Sequence, residues 1–223
     1  MKENHVPLSP TAVKAGWVWM AVQFALLPQL VGLLGVDAAR SNFLLHAVSA
    51  LAAGVIFREA LIDGLRRGIG HWKRFLGVCA LALAGYYAAG GAVSWLIEGL
   101  DPTFLNRNDQ VFFDMKEQWI LLLLTTVVLA PVSEECLFRG LLFSRLAERN
   151  RVFAYLLSCL CFALIHVLGF LGKYTPLQFA LAMLQYIPAG LMLAWAQERS
   201  GLIAPIFIHA AINAVSVAQV LFL

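Results

Sequence analysis

An all-α, polytopic transmembrane bundle of about seven spans is predicted by three observations. The 223 residues are 61% hydrophobic and only 13% charged, with a mean hydropathy of +0.79. A soluble domain keeps about 25% charged residues to wet its surface, so lipid must cover much of this one. Seven apolar runs approach or exceed the ~20 residues that a helix needs to cross a bilayer core. The basic residues gather in alternate connections between those runs, as they do in polytopic chains.

In order, the runs lie at about 17–36, 42–57, 75–97, 118–142, 152–171, 177–197 and 201–223. The first is too long for the apolar part of a signal peptide. The nearby Asp37-Ala38-Ala39-Arg40 makes a poor cleavage site, so a retained first span is expected. The second is short and holds His46. With the N-terminus in the cytoplasm, Lys2, Lys14, Arg58, Arg66, Arg67, Lys73, Arg74, Arg139, Arg145, Arg149, Arg151 and Arg199 fall inside. That is 12 of the 16 basic residues; Arg40, Arg107, Lys116 and Lys173 fall outside. The bias sets the orientation and places the C-terminus outside. A net charge of +3 gives no argument for nucleic acid. Cys79, Cys136, Cys159 and Cys161 all sit within apolar runs, without zinc-ribbon or disulfide spacing, and read as packing residues.

Two connections are long. Residues 58–74 form a basic segment expected to set topology and to lie partly as an interfacial helix. Residues 98–117 form an acidic outer loop with apolar positions at Phe104, Phe112 and Phe113, which fits either a lid or an interfacial helix.

Ionisable residues at membrane depth cost about 2.5–3.5 kcal/mol each on insertion scales, and so call for a partner or a function. Three groups stand out. Glu134, Glu135 and Arg139 lie in Ala130–Gly140 toward the cytoplasmic end of the fourth run. His166 ends Phe162-Ala163-Leu164-Ile165-His166 in the fifth, and His209 and Asn213 are in the seventh. Neighbouring helical residues point about 100° apart, so the two glutamates cannot share one role. Glu135 and Arg139 are spaced i,i+4 and can neutralise each other, which leaves Glu134 to face a cavity. Pro131 removes a backbone hydrogen bond one turn earlier.

A carboxylate and an imidazole can hold a water and take its proton. A second histidine and an amide can donate to an oxyanion. Together these are the parts for amide hydrolysis without a covalent intermediate. Glu134, His166 and His209 could instead form an open three-ligand zinc site, although there is no HExxH. A third reading is a proton-coupled carrier or immunity scaffold, for which internal repeats would be expected and none is evident.

Ala130–Leu146, APVSEECLFRGLLFSRL, closely resembles the EExxxR motif of the CAAX protease and bacteriocin-processing (Abi) membrane proteins. Phe162 to His166 resembles their FxxxH motif, and His209 to Asn213 their HxxxN motif. The resemblance covers about residues 118–220. It implies an intramembrane endopeptidase, a glutamate protease in which Glu134 and His166 activate water. It further implies that His209 and Asn213 stabilise the oxyanion and that Glu135 and Arg139 support the site. No cofactor and no metal are implied. The expected partners are the bilayer and a membrane-associated peptide or protein substrate, as in peptide maturation, leader removal or bacteriocin self-immunity. The expected location is the plasma membrane of a prokaryote. Two regions of one membrane domain follow: an N-terminal three-span part, 1–117, and a motif-bearing core, 118–223. Because Glu134 lies nearer the cytoplasmic end of its run, substrate is expected to enter laterally or from that side.

Overall fold

The computed structural model describes residues 8–222; Lys2 and Leu223 lie outside the described residues. Among the described residues the chain is helical without strands, and seven helices are long and apolar enough to cross a membrane. They are α1 (Pro10–Gly32), α2 (Ala38–Ile56), α4 (Trp72–Leu100), α6 (Lys116–Ala147), α7 (Arg151–Leu168), α8 (Pro176–Ser200) and α9 (Ile203–Phe222). Two further helices lie between spans: α3 (Arg58–Gly70) and α5 (Arg107–Asp114).

The ends of the helices follow from local sequence. Asp37, Asn106, Asn150 and Thr175 each accept a backbone N–H at the start of a helix. Thr175 and Gln178 close a reciprocal capping box. Gly201, at φ 79°, ends α8 in a backbone region that few other residues adopt. The α3 helix carries Ile62, Leu65 and Ile69 exposed along one side and Arg66 and Arg67 elsewhere, as an interfacial helix should. It sits under the start of α9, where a Cβ on Gly64 would stand 2.9 Å from Ile203.

The main core joins both halves of the sequence. Val78, Cys79 and Ala82 of α4 pack with Phe138 and Leu142 of α6, Phe162 of α7, Leu193 of α8 and Ile208 of α9. A second cluster seats Leu137 and Leu141 of α6 against Phe57 and Leu202. The α6 span is not a uniform helix. Residues Leu124–Leu129 and Cys136–Phe143 wind as π-helix on either side of an α-helical turn, Ala130–Glu135. Such wide turns in a helix often mark functional sites.

The long face with residues 58–74 also holds Arg145, Arg149, Arg151 and Arg199, tied by Arg151–Glu198 at 2.6 Å and by Arg74 to the Arg199 carbonyl at 3.0 Å. Arg139 does not belong to that surface. It is fully buried, so it drops out of the topology count. Without it and Lys2, ten basic residues remain on this face against four on the other.

Candidate active site

The site is built on α6, α7, α8 and α9. In the π register of Leu124–Leu129, the Ala130 N–H bonds to the Thr125 carbonyl. The next N–H would reach the Thr126 carbonyl, but residue 131 is proline and has none. That carbonyl accepts instead from Asn213 Nδ2 at 2.7 Å, which fixes α9 to α6 beside the cavity.

Beyond Pro131 the two glutamates diverge. Glu135 is fully buried, and its Oε1 accepts from Arg139 Nη1 at 2.9 Å and from His209 Nδ1 at 2.8 Å. Arg139 reaches further: Nη2 donates to the Gly190 carbonyl at 3.3 Å, and Cζ lies 4.2 Å from the centre of the Phe162 ring. The charge is thus shared among a carboxylate, a carbonyl dipole and an aromatic face, as a fully buried guanidinium requires. The i,i+4 spacing indicates the Glu135–Arg139 pair; the bond to His209, 74 residues away, has no local signal.

Glu134 turns elsewhere. Its Oε2 faces His166 Nε2 at 3.8 Å and has no hydrogen-bond partner. His166 Nδ1 lies 2.8 Å from the Phe162 carbonyl, which can only accept, so the proton sits on Nδ1 and Nε2 presents its lone pair toward Glu134. A separation of 3.8 Å is too long for a direct hydrogen bond, so the two groups face each other unbonded. The His166 ring is also stacked 4.4 Å from Tyr186, which holds its plane.

Glu134, His166, His209 and Asn213 all line one cavity of about 360 Å³. The three motif groups therefore meet, although no spacing rule required it. Residues outside the three motif groups join them: His46, Gln23 and Asn42 from the first two spans, and Gln185 and Tyr186 from α8. His46 could have been suspected as a histidine inside an apolar run. The others are common polar residues whose position comes from packing alone. Among the described residues, no three or more His, Cys, Asp or Glu side chains are grouped as metal ligands.

The cavity leads away from residues 58–74. It is lined by Asn106, Asn108, Asp109, Val111 and Phe112, so the 98–117 connection covers its mouth as a lid. Asn106 Nδ2 donates to Gln185 Oε1 at 2.7 Å and to the Tyr186 hydroxyl at 3.1 Å. The lid is thereby linked through Tyr186 to the face of His166. Desolvation at the mouth pushes the Asp109 carboxyl up to about 6. Asp101, where the lid begins, is held below the ordinary carboxylate range by the Thr103 hydroxyl and then by Gln178. On the other side of Glu134 there is no opening: Cys136 to Phe143 are buried without exception. Of the two expected entries, lateral or from the side of residues 58–74, the second is corrected: the cavity lining does not run that way, because depth along α6 does not say which half of the bundle is packed.

Gly190 is where α7 and α8 meet most closely. A Cβ there would collide with Cys159 Sγ and lie 3.2 Å from Cys159 Cα. Gly190→Ala should lower thermal stability by about 1–3 kcal/mol, the usual cost of overpacking. Cys159→Ala should restore only part of it, since it removes the sulfur and leaves the α7 backbone in the way. A melting curve for the single and double variants checks this; an unchanged midpoint in Gly190→Ala would show that the helices separate freely.

Residues 116–215 match the family described as Type II CAAX prenyl endopeptidase Rce1-like. The chain is also 29% identical over 139 residues to YdiL of Bacillus subtilis (strain 168), whose name proposes a membrane peptidase. That alignment takes in 58% of this chain and 55% of YdiL, so the chain spans about half the length of that relative. No solved structure gives a significant match. The matched segment contains Glu134, His166, His209 and Asn213, and its family is the one that their three motifs resemble. Residues 116–215 of this membrane-spanning chain, somewhat less than half of its length, are thus similar to the Rce1-like family of CAAX prenyl endopeptidases.

Proposed function

We propose that the chain is an intramembrane endopeptidase, a glutamate protease that hydrolyses a peptide bond of a membrane-associated protein or peptide. The observation that carries this reading is the facing of Glu134 Oε2 and His166 Nε2 across 3.8 Å in a polar cavity inside the bundle. A water between them loses a proton to Glu134 as its oxygen attacks the scissile carbonyl. His166 accepts a hydrogen bond from the water through Nε2 and orients it. The oxyanion then forms near His209 and Asn213. His209 has Nδ1 committed to Glu135, so the donor to the oxyanion is its other ring nitrogen, in the form of the ring that carries both protons. Asn213 has given one N–H to Thr126 and keeps the second for the oxyanion. Glu134 returns its proton to the leaving amine. The proposed location is the plasma membrane of a prokaryote with the N-terminus in the cytoplasm, a reading supported by the excess of basic residues on one face.

Purified protein should retain its activity in strong chelators and should contain no stoichiometric zinc. Metal analysis alongside a turnover assay checks this. Zinc at one per chain, with activity lost on its removal and regained on its return, would replace the glutamate mechanism with a zinc site at Glu134, His166 and His209.

A further inference from the structure

From the level of Glu134, Leu193 and His209 in mid-bundle, the lining of the cavity runs toward one end of the spans. The α1 helix gives Gln23 and Pro28, near its end at Gly32, and α2 gives Asn42 and His46, near its start at Ala38. From Glu134, α6 lines the cavity through Ala130 and Thr126 toward Lys116; from His209, α9 lines it through Asn213 and Ser216 toward Phe222. In α8 the lining runs from Leu193 back to Gln185, toward Pro176. These ends share one face, that of the lid.

The opposite half of the bundle is filled. Phe138, Leu142 and Phe162 pack with Ala204 and Ile208, and Leu137 and Leu141 pack with Phe57. Beyond that plug lies the face of Arg58 to Arg74 and Arg145 to Arg151. Basic residues near span ends are retained on the cytoplasmic side. Ten lie on the plugged face and four on the lid face, so the plugged face is cytoplasmic.

We infer that the site opens only to the extracytoplasmic face, and, resting on the endopeptidase reading above, that its substrate is a polypeptide segment already on the outer side of the membrane. A translocation reaction must therefore supply this substrate. Near the mouth the Asn106 amide is taken up by Gln185 and Tyr186, while Asn108 and the Gln185 amide nitrogen line the wall beside it, where an extended backbone would find polar partners.

The test adds one cysteine at a time to a Cys161→Ser background and uses a membrane-impermeant maleimide, with that background as control, since Cys79, Cys136 and Cys159 are buried and Cys161 is partly exposed. Asn108→Cys at the mouth and Asn42→Cys within the cavity should be labelled in right-side-out vesicles. Arg66→Cys should be labelled in inverted vesicles alone. Labelling of Asn42→Cys from inverted vesicles alone would overturn the inference. In parallel, a quenched peptide library is presented to each vesicle orientation, with Glu134→Gln as the blank. Cleavage dependent on Glu134 is expected from the outer side, and cleavage from the cytoplasmic side only would overturn the substrate class. Cleavage from neither side would count against the endopeptidase reading, while the labelling would still decide the access.

Discussion

Glu134→Gln is expected to abolish hydrolysis and leave the protein folded and abundant. Glu134 Oε2 has no hydrogen-bond partner, and the His166 Nε2 that it faces is 3.8 Å away. Replacing the carboxyl with an amide of the same shape therefore removes no ion pair on which packing depends. What it removes is the group that takes the proton from water, and loss of a general base costs about 10²–10⁴-fold in rate. A melting curve and a turnover assay in detergent measure the two effects separately. A stable, active Glu134→Gln protein would end the assignment of the base. An unstable one would show that Glu134 holds the fold.

Glu135→Gln should fail in the opposite way. One oxygen of Glu135 serves both Arg139 and His209, at 2.9 and 2.8 Å, and Arg139 is wholly buried. Neutralising Glu135 leaves the guanidinium without its counter-charge; breaking such a pair costs about 3–5 kcal/mol when fully buried. Expression and melting temperature should fall together. Glu135→Gln with Arg139→Gln should recover part of the stability, because no lone charge remains. It should not recover activity, because His209 has still lost the carboxylate that holds its Nδ1. If the double variant is no more stable than the single one, the Glu135–Arg139 charge interaction is not what the fold depends on. If Glu135→Gln is stable but inactive, the two glutamates have been given each other's roles.

These contrasting expectations show which parts of the site the chain discloses locally. Hydropathy suffices for the seven spans, because lipid imposes a minimum apolar length and little else satisfies it. Spacing suffices for Glu135 and Arg139, which are one turn apart on one helix. The α1 helix begins at Pro10, earlier than the apolar run at residue 17, because Ser9 caps it and Pro10 is pre-set for a first turn. The π-helical turns of α6 were not legible: they depend on what α6 packs against, and only Pro131 hinted at a disturbance. The partners of His209, of Arg139 beyond Glu135, and of Asn213 each lie more than 20 residues away. They are products of the bundle, as is the choice of which half is plugged. For the same reason the sequence of residues 98–117 fits both a lid and an interfacial helix, and it is the bond from Asn106 to Tyr186 that seats it over the cavity.

The plug between Glu134 and the basic face also has an electrical consequence. A cavity that admits water brings the potential of the outer solution down to its floor, so the membrane voltage falls mainly across the packed layer beneath. That layer must hold off a potential worth about 2.3 kcal/mol per elementary charge for each 100 mV. It contains Arg139, but bonded to Glu135 within one turn, so the pair carries no net charge through the field. Glu134, at the floor, meets little of the voltage drop. On the proposed reading, its proton exchange is then insensitive to how strongly the cell is energised, and the packed layer keeps the membrane closed to ions.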